Sequence, residues 1–430
     1  MHTVHTDAIA PGVRLTCVST GKFKTGCISV NIISGLRADT AAATALLPRV
    51  LLRGSAELPD MESISSALDE LYGARIEPVI RKKGELHCTG LYADFPDDRF
   101  IEGADGILEQ TVSMLGGILL SPALKNDLLR LVYVDSEKTN LIDDIRAAVN
   151  DKRGYTINRL LEEMCAGEAY GVRRLGREEE ALAITPETLT AHYRDLLSSS
   201  QIEVFYCGPA ESDRVGSILS DTFKNLQERV CTAVPETKII LYPDRKPPRR
   251  FSEKLDVTQG KLAVGFRLGK AMSGLPDLPA LMVFNAVYGS GDTSKLFLNV
   301  RERLSLCYYA GSRIDRHKGV MIVSSGVEFD MLDAALEEIM AQLGYIKDGD
   351  IRDWELTSAK RSVAASVKQA MDRPGGLEDL YFDSLISKFP YDPADLCDMV
   401  EDVTIDRVVE TASEIEADSV YFLSGEDEEL

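Results

Sequence analysis

Five histidines, His2, His5, His87, His192 and His317, and eight dispersed cysteines are the side chains of this chain best suited to hold a metal ion. Two histidines one helical turn apart could share a zinc ion, yet there is no His-x-x-x-His pair and no Cys-x-x-Cys. No metal centre is expected. Cys17, Cys27, Cys88, Cys165, Cys207, Cys231, Cys307 and Cys397 read as free thiols, most of them buried, rather than as a disulfide framework. The other notable pair is Arg301 and Tyr308, in Asn299-Val300-Arg301-Glu302-Arg303-Leu304-Ser305-Leu306-Cys307-Tyr308. An arginine offers a fixed cationic fork and a tyrosine a neutral O–H donor on a rigid ring. Taken alone they read as a helix-surface cation and an ordinary strand aromatic.

Periodicity supplies the elements that would carry these residues. In the first half, strands near 13–18 and 27–34 lead to helices around 40–53 and 60–71. Strands follow near 75–80 and 85–92. Then come residues 100–115, a helical stretch from 124 to about 164 interrupted near 151–154, and a loop rich in Gly and charge, 166–180. The helix opened by Pro186 and a strand at 202–207 close this half. The second half repeats the order: strand 262–268, helices 279–288 and 293–303, strand pair 306–314 and 319–327, helices 331–345 and 351–371, and strand 419–423. The strand-pair turns correspond at Gly84 and Gly319, and the closing strands read Val204-Phe205-Tyr206-Cys207-Gly208 and Val420-Tyr421-Phe422-Leu423-Ser424-Gly425. A duplication explains both. His2 and His5 read as part of a frayed terminus.

At 430 residues, 44% hydrophobic and 27% charged, the chain has apolar material for two cores. Its net charge, 48 minus 69 or −21, repels phosphate backbones, so nucleic acid is not an expected partner. The acidity serves solubility or, on a sharper reading, an acidic cavity for cationic peptides. No run of about 18 apolar residues is present, so no membrane association is expected and the protein is expected in the cytoplasm. Pro243, Pro247 and Pro248, with Arg245, Lys246, Arg249 and Arg250, mark a linker between the halves.

Ala45-Leu46-Leu47-Pro48-Arg49-Val50-Leu51-Leu52-Arg53-Gly54, between a strand and a second helix, resembles the first helix of the insulinase (pitrilysin-like) metallopeptidase family. Active members carry His-x-x-Glu-His there, two zinc-binding histidines and a glutamate that activates water, with a further glutamate downstream. In this chain Ala45 offers no ligand atom, Pro48 replaces the catalytic acid and Arg49 is a permanent cation. The downstream glutamate falls on Asp144, a carboxylate expected to be without partners. Pro48 is expected to remove a backbone donor and bend its helix.

The resemblance implies an α+β fold of two homologous LuxS/MPP-like domains, clamshell halves, each an antiparallel-rich sheet covered by helices. Residues 1–228 would form the first, 229–250 the linker and 251–430 the second. Arg301 and Tyr308 match, at the family spacing, the pair that members extend toward substrate, where such donors bind the charge that develops as water adds to a peptide carbonyl. Leu304-Ser305 departs from the usual Arg-Gly between them. Gly73, Ala74 and Arg75 match the turn into a strand on whose edge an extended peptide adds; a glycine turn packed under the sheet is the plain alternative.

Leu46-Leu47-Pro48-x-Val50-Leu51-x-Arg53-Gly54, Leu71-Tyr72-Gly73-Ala74 and Asn150-Asp151-Lys152-x-x-Tyr155 resemble a bacterial subgroup that lacks the zinc motif. That subgroup is similar to the non-zinc member of a two-chain peptidase and bears a label of association with elongation factor P modification. The implied function is a zinc-less subunit that binds peptide and lends Arg301 and Tyr308 in trans to a homologous His-x-x-Glu-His chain, as a heterodimer, with zinc in the partner alone. The alternative is a peptide-binding or assembly scaffold with no role in hydrolysis.

Overall fold

The computed structural model describes residues 3–272, 277–387 and 391–425; His2 lies outside them. Alternating side chains set the two faces of each sheet, and the chain forms two compact units, each around its own sheet. The first unit comprises Met1–Arg146, Val172–Glu236 and Met371–Phe382; the second, Ala147–Gly171, Thr237–Ala370 and Asp383–Leu430.

Strands β1 (Thr3–Ala10), β2 (Val13–Ser19), β3 (Thr25–Gly35), β4 (Arg75–Lys83) and β5 (Leu86–Pro96) belong to the first unit, followed by a two-residue-strand hairpin, β6 (Leu124–Lys125) and β7 (Leu128–Leu129), and by β8 (Gln201–Gly208). The main sheet runs β1-β2-β8-β3-β5-β4. In the second unit β9 (Arg249–Lys254), β10 (Gly260–Arg267), β11 (Cys307–Asp315), β12 (Val320–Val327) and β13 (Glu416–Ser424) run β11-β12-β10-β13-β9. Reversing the second list aligns it with the first from β2 onward. The pairings agree as well: β2–β8 and β9–β13 are parallel and all the others antiparallel. Five strands in one order with one pattern of directions express the duplication, and β1 is the addition. The strand-pair turns Gly84 and Gly319 both take positive φ, 55° and 71°.

Both faces of each sheet are covered. In the first unit Ile28, Val30 and Ile32 enter the large core with the helices Ala38–Leu51 and Ile107–Leu120. On the other face, Leu377 and Tyr381 of the helix Pro374–Leu385 cover Val18, Cys27, Phe205 and Cys207. Glu378 of that helix, 1% exposed, receives both Nη atoms of Arg81 at 2.8 Å and the Ser29 hydroxyl at 2.6 Å. In the second unit Leu160, Leu161 and Met164 of the helix Lys152–Met164 cover Ala263, Ile322 and Tyr421. These cover helices come from distant stretches of chain, so neither unit is one continuous run.

Several local expectations are corrected. The amino-terminal segment with His5 is an edge strand, not a frayed end; it eluded the sequence because Thr3–Ala8 is exposed on both faces and shows no alternation. The proline-rich linker gives way to β9 at Arg249. The stretch from Leu124 begins as the β6–β7 hairpin, turned by Asn126 and Asp127 at φ 54° and 65°, before the helix Leu131–Ala147. Its break near Asp151 is present, with the Asp151 carboxylate capping Gly154 N–H at 3.0 Å. Among the described residues no helix is long and apolar enough to cross a membrane.

Candidate functional site

In the first unit, Ala38–Leu51 forms the helix that carries the degenerate motif. Ala45 is fully buried, and Pro48 lies inside the last turns. A proline there cannot donate to the carbonyl four residues back, that of Thr44. The Thr89 hydroxyl on β5 donates to that carbonyl at 3.0 Å instead, so the lost donor is replaced from the sheet. Asp144 is not without partners: Arg49 Nη1 donates to its Oδ2 at 2.7 Å. The guanidinium at the position where the resemblance expects a ligand thus pairs with the carboxylate expected downstream. One turn on, Arg53 pairs with the nearly buried Glu137 at 3.3 Å. Among the described residues no three His, Cys, Asp or Glu side chains are grouped to hold a metal ion.

Beside this helix, burial, then the Arg174, His192 and Lys82 charges, push the His87 imidazole down to about 3, and its Nε2 is buried without a hydrogen-bond partner. Burial also lowers His192, whose Nε2 meets the Thr44 hydroxyl at 2.8 Å. The His87 imidazole thus lies under the Arg174 and Lys82 cations. Arg174 was not singled out by the sequence, for nothing local in its charge-rich loop marks it.

In the second unit, the expected helix 293–303 is a π-helix over Leu296–Arg303, with Leu304 N–H donating five residues back to Asn299 at 3.1 Å. Such helices are rare and concentrate at functional sites. It is anchored by a buried ion pair, Lys295 with Glu355 at 3.1 Å, and by Asn299 Nδ2 donating to Gln342 Oε1 at 2.8 Å. Gly289 lets the preceding turn approach β11 closely: a Cβ there would lie 2.8 Å from Ser312 N, which donates to the Gly289 carbonyl. Arg301, 41% exposed at its side chain, lies over the Phe297 ring at 4.6 Å and reaches Glu302 at 3.4 Å. Ser305 then takes φ 52°, a left-handed conformation suited to glycine, which accounts physically for a glycine at this position in the family pattern.

Tyr308 is the extra residue of a β-bulge, since Cys307 pairs with Val327 and Tyr309 with Gly326. Bulges re-aim side chains, and Tyr308 is 63% exposed. A hydrogen bond to the Glu328 carboxylate raises its phenol above the ordinary value.

The third expected segment lies in the first unit. Tyr72 and Gly73 form a turn at φ 57° and 77°; Ala74 is buried, and Arg75 is exposed at the start of β4, opposite Asp94. Among the described residues β4 pairs only with β5 and is an edge strand. Arg49 and Asp144 are therefore brought together, while Gly73 and Arg75 share the turn into that edge.

A duplicated α+β unit, with alanine, proline and an arginine–aspartate pair where the resemblance expects zinc chemistry, has the form of an inactive metallopeptidase homologue. The chain belongs to the M16 peptidase family, the insulinase-like family that its motifs resemble. It is 32% identical over 415 residues to "Probable inactive metalloprotease YmfF" of Bacillus subtilis (strain 168), covering 96% of each chain. The family description "Peptidase M16 inactive domain" matches residues 183–363. A solved structure of a conserved protein from Enterococcus faecalis V583 is similar at 26% identity and TM-score 0.88, over 99% of this chain and 100% of that one. A protease from Helicobacter pylori shares the fold, at 15% identity and TM-score 0.79, over 99% and 100%.

Proposed function

We propose that this chain is the zinc-less subunit of a heteromeric M16 peptidase, which binds peptide substrate and supplies Arg301 and Tyr308 in trans to a zinc-bearing homologous partner. The observation that carries this reading is the asymmetry between the sites. Of the expected metal positions, Ala45 is buried in the core and Arg49 pairs with Asp144, whereas Arg301 and Tyr308 stay exposed on a π-helix and a bulge, backbone forms that a fold does not otherwise need. Arginine and a protonated tyrosine suit the oxyanion of a peptide under attack. Gly73, Ala74 and Arg75 contribute the turn into edge strand β4, along which the peptide would add a strand. The eight free cysteines suit the reducing cytoplasm.

One observation favours the alternative, a peptide-holding or assembly scaffold: in this chain Tyr308 already donates to Glu328 and Arg301 already rests on Phe297 and Glu302. Zinc content and peptide cleavage of the chain, of a His-x-x-Glu-His homologue and of the pair separate the readings. The subunit reading expects zinc only with the homologue and cleavage stimulated by pairing. A homologue indifferent to this chain, or full activity of the lone chain, would sink it.

A further inference from the structure

The place of the metal in the first unit is taken by a cluster with surplus positive charge. Arg49 engages Asp144 at 2.7 Å, and Arg174 feels both: burial, then repulsion from Arg49, lower its guanidinium, and only Asp144 opposes them. Glu137, two turns earlier on the same helix, is engaged by Arg53 at 3.3 Å and by Asn140 at 3.2 Å. Arg49 therefore pairs with the half-exposed Asp144 carboxylate, while Arg174, bonded to a carbonyl instead, feels both charges from farther off, in a chain whose net charge is −21.

A second feature joins this cluster to a peptide-binding edge. Arg174 Nη1 donates to the Ile80 carbonyl at 2.8 Å, on edge strand β4. Two residues earlier Pro78 has no N–H to offer. Alternate residues of a strand present their main-chain groups to the same side, so an added strand finds partners at Ile76 and at the Pro78 carbonyl, then meets Arg174. Guanidinium forks bind carboxylates through paired charge-assisted hydrogen bonds.

We infer that Arg49 and Arg174 form a receptor for a carboxylate of the bound peptide, from an Asp or Glu side chain or from the C-terminus, next to β4. This rests on the peptide-binding reading above and names a substrate class for it. Asp144 is the internal stand-in that the ligand displaces.

The test uses the full chain and fluorescein-labelled short peptides of mixed sequence in three forms: free acid with Asp and Glu retained, C-terminal amide with them retained, and amide with Asn and Gln in their place. Binding is read by fluorescence anisotropy at low salt, and thermal unfolding checks each variant. The fully neutral form should bind about tenfold more weakly than the first. Which of the two neutralisations carries the loss identifies the carboxylate. Arg49→Gln and Arg174→Gln should each abolish the difference without weakening the neutral form. Asp144→Asn, at a half-exposed position that folding tolerates, should widen it about threefold. Equal binding of all three forms, or a difference that survives in both arginine variants, overturns the inference while leaving peptide binding intact. Absence of binding by every form, with and without a zinc-bearing homologue, removes the peptide-binding reading and this one together.

Discussion

The helix Met61–Glu70 leads into β4 in the first unit as the segment Leu296–Arg303 leads into β11 in the second. The first connection is regular: a capping box between Asp60 and Ser63 opens an α-helix, and β4 pairs with β5 one for one from Arg75–Asp94 to Lys83–Leu86. The second is a π-helix, and its strand opens on a bulge at Tyr308. Both pass through a non-glycine residue at positive φ, Tyr72 at 57° and Ser305 at 52°. The same topology is thus built once without irregularity and once with two. Irregularity that the fold does not require points to the side chains it displays, here Arg301 and Tyr308.

The largest effect is expected where the irregular connection is anchored. Lys295 and Glu355 are each 7% exposed, so Lys295→Met, which strands a buried carboxylate, should cost about 3–5 kcal/mol of stability by denaturant unfolding. Asp144→Asn, at the half-exposed pair of the first unit, should cost less than about 1 kcal/mol. Equal losses would erase the contrast between the sites.

Next comes Thr89→Val, which leaves the Thr44 carbonyl unpaired beneath Pro48 and should cost about 1–3 kcal/mol. An unchanged denaturation midpoint would mean that this hydroxyl does not compensate the proline. The smallest effect sharpens the likeness: Ser305→Gly relieves a left-handed residue and should stabilise by about 1 kcal/mol, seen as a rise in Tm. No rise would mean that the strain is absent.

Much of this was legible in the sequence because alternation and helical spacing are local. The duplicated strand order and the two strand-pair glycine turns follow from patterns a few residues long. The cover helices were not, since Glu378 reaches Ser29 and Arg81 from some 300 positions away in the chain. Nor was the Arg49–Asp144 pair, for two positions 95 apart carry no mutual signal. The π-helix was read as an ordinary helix because both present similar periodicity over eight residues. β1 escaped notice because an exposed edge strand needs no apolar face.

The most direct test of the proposed contrast between an erased metal site and a retained donor pair is peptide cleavage by the reconstituted pair carrying Arg301→Ala and Tyr308→Phe in this chain. The account predicts a fall in kcat of about a hundredfold, with pairing affinity and thermal unfolding unchanged. Unaltered kcat in an intact pair would contradict it.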